Sequence, residues 1–66
     1  MSNRVKEIRE SLLMSKAELA RKAGVSPLTV DRIERGEPCR MATMRKIIFA
    51  LGFELVDRER VFPEKK

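Results

Sequence analysis

The sequence predicts an all-α chain: a compact single domain of four to five short helices, with a helix-turn-helix at about residues 16–35. Three observations carry this prediction. Apolar residues recur at spacings of three and four rather than two. Ser, Pro and Gly fall at matching start and stop positions across residues 15–36. With no Trp or Tyr in the chain, Leu, Ile, Met, Val and Ala must fill the core, a palette that suits packed helices.

The first helix is predicted over residues 4–12. Val5, Ile8 and Leu12 give an i, i+3, i+7 stripe that would face inward, and Lys6, Glu7 and Glu10 form the outer face. Residues 1–3 are expected to be frayed, with Ser2 or Asn3 available as a cap. A second helix starts after Ser15, which can accept hydrogen bonds from free helix N–H groups. Glu18 stands three residues on and completes an S-x-x-E capping box. Leu19, Ala20 and Ala23 share one face, and Gly24 can take the positive φ that ends the helix.

Val25 then plugs the space between two helices, Ser26 is a second N-cap, and Pro27 occupies the first helical position, where its missing N–H is harmless. Val30 and Ile33 would face the preceding helix, leaving Leu28, Thr29, Asp31, Arg32 and Arg35 outward until Gly36 closes the unit. Two helices crossing at about 90 to 120° over so short a turn bring their backbones close, and Ala20 is the small side chain that such a crossing needs.

Glu37 and Pro38 form a loop, and a fourth helix follows over residues 41–51. Met41, Met44, Ile48 and Leu51 share its inner face, with Ile47 flanking and Gly52 as the stop. The four Met residues suit gap-filling packing better than a ligand site. In the tail, FELVDRERVF alternates in places as a hairpin would, while Asp57 also makes a plausible N-cap for a short fifth helix ended by Pro63; the helix is the preferred reading. Phe53, Leu55, Val61 and Phe62 would then cover the bottom of the core or make a dimer contact, and residues 63–66 would be loose.

Sixty-six residues make one small domain, with a core over about residues 4–62, because a chain of this size buries only about 60% of its unfolded surface. The single cysteine cannot form an internal disulfide, and without His there is no zinc constellation; a reducing cytoplasm is the expected location. Charges at Arg4, Lys6, Glu7 and Arg9 stand where a signal peptide would be apolar, and no apolar run approaches the roughly 18 residues of a membrane span. An enzyme is not expected, since no His is present, the lone Cys has no base partner and no phosphate-cradling glycine loop occurs. No cofactor is expected either.

The net charge of +5 is unevenly placed. Residues 1–46 carry 11 Lys and Arg against 6 Asp and Glu, whereas residues 47–66 carry 4 against 4. All the excess lies in the part that holds the helix-turn-helix, which suits a polyanion partner. Cys39 lies beside Arg40 and a helix N-terminus, both of which favour a thiolate and a redox role; the plainer alternative is a small buried or loop thiol with no role.

The spacing of Ala20, Gly24, Val30 and Ile33, within S-K-A-E-L-A-R-K-A-G-V-S-x-x-T-V-x-R-I-E-R-G, resembles the helix-turn-helix of the lambda-repressor/Cro-like family, also called the XRE family. The resemblance runs from about Val5 to Gly52. Most family members have Gly where this chain has Leu13. The resemblance implies binding to double-stranded DNA, as a homodimer and as a bacterial or phage transcriptional regulator in the cytoplasm, associated with the nucleoid. The helix over residues 26–35 would be the recognition helix in the major groove.

Pro27, Leu28, Thr29 and Arg32 would then face the bases. Arg32 can contact guanine O6 and N7 in a bidentate manner, Thr29 can give one hydrogen bond, and Leu28 can press on a thymine methyl or stand exposed without a role. Pro27 and Leu28 replace the polar residues of the best-known phage repressors, which shifts work to phosphate contacts and DNA shape. The resemblance assigns Lys16 a phosphate or base contact, and the loop with the start of the fourth helix grips the DNA backbone, placing Arg35, Arg40, Arg45 and Lys46 in a phosphate clamp. Arg21 and Lys22 form a solvated face. Neutralising four or five phosphates gives a slope of log K on log salt near −4, as an order-of-magnitude figure of about that size. Arg9 and Glu34 match the positions of a partly buried structural ion pair in the resembling repressors; the plainer alternative is two solvated surface charges. The alternative from another class is a protein-interaction module, such as an antitoxin or regulatory subunit that presents the same fold to a protein partner.

Overall fold

The computed structural model describes residues 3–63. The fraying expected of Met1 and Ser2 and the loose tail expected at residues 64–66 lie outside the described residues. In chain order the elements are α1 (Val5–Ser11), α2 (Lys16–Ala23), α3 (Pro27–Glu34), α4 (Met41–Ala50), a 3-10 turn (Leu55–Asp57) and α5 (Arg58–Val61). The described residues contain no strand, so the tail takes the helical alternative.

Both helices of the central pair begin where their caps place them. The Ser15 hydroxyl accepts the Glu18 N–H at 3.0 Å, and the Ser26 hydroxyl accepts the Thr29 N–H at 3.1 Å, each satisfying a donor that the first helical turn would otherwise leave unpaired. The ends of α1 to α4 share one device. At the end of α2, Gly24 adopts φ 72 and ψ 33 and the Val25 N–H reaches back to the Ala20 carbonyl at 2.9 Å. The same closure, five residues back, follows α3, where Glu37 donates to Arg32, and α4, where Phe53 donates to Ile48. It also follows α1, where Met14 donates to Arg9 at 3.1 Å and the left-handed residue is Leu13 at φ 55.

Val5, Leu19, Val30, Ile47 and Val61 are wholly buried, one from each of the five helices. Ile33, Ile48, Leu51 and Phe62 join them, and Phe53 packs against this core half-buried. α2 makes its most extensive contacts with α3 and the next with α4, and Ala20 is buried where the pair is packed. A larger side chain there would force the helices apart. The Arg4 N–H donates to the Val61 carbonyl at 2.9 Å, tying the start of α1 to α5.

Four expectations are corrected. Leu12 is 49% exposed rather than inward, because α1 ends at Ser11 and the left-handed Leu13 turns the chain so that Met14 takes the buried place. Met41 is 84% exposed: it starts α4 beyond the edge of the core, and the buried stripe is centred on Ile47 rather than flanked by it. Asn3 is not frayed, since its side chain accepts the Val5 N–H at 3.1 Å and donates to the Ile33 carbonyl at 2.8 Å. Asp57 stands at the N-cap of α5, yet its side chain makes no capping bond; the preceding 3-10 turn, closed by the Asp57 N–H on the Glu54 carbonyl at 2.9 Å, launches the helix instead.

Candidate nucleic-acid interface

α3 is held by one face and bare on the other. Val30 and Ile33 are buried against α2 and the rest of the core, while Pro27, Leu28 and Arg32 are exposed, Leu28 by 54%. Thr29 is half-buried, and its hydroxyl lies 3.0 Å from that of Ser26, so one of its polar valences is already used within the cap. The fold therefore leaves the N-terminal half of α3 uncovered.

The far end of α3 is fixed by an ion pair. Arg9 donates from Nε to Glu34 Oε2 at 2.6 Å and from Nη2 to Oε1 at 3.2 Å, and its Nη1 donates to the Met14 carbonyl at 2.8 Å. Arg9 is 7% exposed and the Glu34 side chain 4%. The hydrogen bond to Glu34 holds the guanidinium above its ordinary pKa, against the opposing effect of burial. One cation thus joins α1, the turn after it and the end of α3, which sets the direction in which α3 points.

Thr29 and Arg32 come together with Pro38, Cys39, Arg40 and Thr43 around an open notch of about 490 Å³ between α3 and the start of α4. Neither Arg32 nor Arg40 makes an ion pair among the described residues, so two arginines without a carboxylate partner border one concavity. Such a place attracts an anion. Burial pushes the Cys39 thiol up, opposite to the shift that a neighbouring cation would cause, and keeps it in the thiol form at neutral pH.

The remaining clamp residues stand elsewhere. Lys16 Nζ lies 2.7 Å from Asp31 Oδ1, and Arg35 Nη2 lies 3.0 Å from Asp31 Oδ2 and 3.9 Å from Glu37. Both cations are already partnered. Arg45 lies on the other side of α4, on an apolar groove of about 550 Å³ that also involves Met44, Ile48, Leu55 and Phe62. Lys46 is exposed, with no ion pair among the described residues. Two residues of the site were not picked out from the sequence: Thr43, which carries no motif signal, and Asp31 as the hub of two ion pairs. The i, i+4 spacing of Asp31 and Arg35 was a readable signal; the Lys16 contact, formed across the turn between two helices, was not.

A bare helix on a helix-turn-helix scaffold, with Arg32 and Arg40 outside any ion pair among the described residues, is the arrangement of a DNA-binding class of domain. A family model described as "Helix-turn-helix" matches residues 5–57. The chain belongs to this family, the lambda-repressor-like or XRE-type helix-turn-helix proteins, whose members are DNA-binding regulators and generally not enzymes. No curated protein and no solved structure matches the chain. Among the described residues no helix is long and apolar enough to cross a membrane.

Proposed function

We propose that the protein is a sequence-specific regulator of transcription, of bacterial or phage type, that binds duplex DNA with α3 in the major groove. The observation that carries this reading is the exposed N-terminal half of α3 with Arg32 free of any carboxylate among the described residues, next to Arg40 on one notch. Arg32 reads guanine; Leu28 presses on a thymine methyl; Thr29 contributes at most one further bond, and Pro27 shapes the approach. Arg40 and Lys46 grip phosphates, and Arg45 does so from the outer edge of α4. With Lys16 and Arg35 already partnered, the slope of log K on log salt is expected nearer about −3 than −4.

A second copy completes the regulator. A domain this small gains useful affinity by joining two half-sites about one helical turn apart. The exposed Met41, Leu55 and Val56 beside the apolar groove between α4 and the tail support pairing through that side. The same apolar surface supports the second reading, in which the fold serves as an interaction module for a protein partner. Titration against random duplex DNA at low and high salt separates the two. Salt-sensitive binding is expected, followed by a palindromic site on selection from a random duplex pool; binding that salt does not weaken, or none, would sink the DNA reading.

A further inference from the structure

We propose that Asp31 sets the strength of sequence-independent DNA binding through its neighbours: it keeps Lys16 and Arg35 occupied, so that these two cations do not add to the affinity for duplex DNA of any sequence. This rests on the DNA-binding reading above. Asp31 lies on α3 beside Arg32, the residue proposed to read bases, and it uses both carboxylate oxygens, one on Lys16 at 2.7 Å and the other on Arg35 at 3.0 Å. The three groups are partly exposed, so the pairs contribute little to folding. Their consequence lies in charge. Every cation that neutralises a phosphate steepens salt dependence by about 0.9 and raises affinity on all sequences alike.

The geometry points to a restrained clamp. Lys16 begins α2 and Arg35 caps the end of α3, so the two would reach phosphates on either side of the recognition helix. Asp31 sits between them and draws both inward. A phosphate that took either cation would leave the carboxylate with one partner fewer, close to the negatively charged duplex. Random DNA therefore gains little from these side chains. The specific site forgoes the same contribution, so affinity falls on every sequence while the preference set by Arg32 at base edges stays the same.

The test is the salt dependence of binding to a random duplex by the full chain and three single variants. Asp31→Asn removes the charge with the shape kept, and Asp31→Ala does so at a partly exposed helical position where Ala favours the helix, so that one folded variant is available if the other fails. Either is expected to steepen the slope by up to about 1.8, two phosphates at 0.9 each. Glu7→Gln raises the net charge by the same amount on the exposed face of α1, and is expected to leave the slope unchanged. Adding Lys16→Gln to Asp31→Asn should take back about 0.9.

An unchanged slope in both Asp31 variants, or equal steepening in Glu7→Gln, overturns the role of Asp31 while leaving DNA binding intact. The absence of salt-sensitive binding by the unaltered chain removes the DNA reading itself, and this inference with it.

Discussion

Leu13 carries the left-handed conformation that three glycines carry at the ends of α2, α3 and α4, and it is 92% exposed. A branched side chain in that region is strained by about 1 to 2 kcal/mol, partly offset by the greater freedom that Gly would lose on folding. Leu13→Gly is therefore expected to raise stability by about 0.5 to 1 kcal/mol in urea unfolding; a loss would mean that Leu13 has a packing role. The Arg9–Glu34 pair works in the opposite direction. Replacing Arg9 by Met leaves a buried carboxylate without its cation, and about 3 kcal/mol or more should be lost. Retained stability in urea would show that water reaches Glu34. The pairing of these two residues was legible only through the family pattern, because a separation of 25 positions gives no local signal. The position of Leu13 was legible as a departure from glycine, but not its consequence, the burial of Met14 in place of Leu12.

At the scale of elements, the central pair was the most legible part, since its caps, its turn and its apolar spacing all specify the same two helices. α2 and α3 begin at the residues after Ser15 and Ser26, as capping requires. α4 was legible in extent but not in rotation. Met41 to Leu51 contains more apolar residues than one face can hold, and only the packing of neighbouring helices selects Ile47 for the centre. In the tail, four-residue α5 is too short for periodicity to fix, and contact with α1 through the Arg4 to Val61 bond helps to hold it. The turn between α2 and α3 gives the test for this scale. A Cβ at Gly24 would meet nothing within 4 Å, so Gly24→Ala costs backbone strain less the unfolded-state freedom that Gly gives up, a net loss of about 0.5 to 1 kcal/mol in thermal or urea unfolding. A much larger loss would indicate that the two helices no longer cross as described.

For the whole molecule, the sequence showed that the excess positive charge lies before residue 47, and the structure sets two pairs of those cations apart. Arg32 and Arg40 border the notch beside α3, whereas Lys16 and Arg35 are held by Asp31. This division was not legible, because it depends on which side chains meet across the turn. It has a pH consequence. The hydrogen bond from Lys16, reinforced by the charges of Arg35 and Lys16 against some desolvation, holds the Asp31 carboxyl below its usual range. A lowered native pKa gives a contribution that is complete above the ordinary carboxylate pKa of about 4 and is lost as pH falls through the lower native value. With no His in the chain, the salt slope should be the same at pH 6 and pH 8. A change across that interval would require a group other than Asp31 to control the clamp.

The role of α3 is tested most directly by repeating the duplex selection with Arg32→Ala. Loss of preference at one base position, at a cost of about 1 to 3 kcal/mol with the other positions unchanged, is the expected result. Uniform weakening on every sequence would contradict it, placing Arg32 on the phosphate backbone and leaving α3 without its base-reading residue.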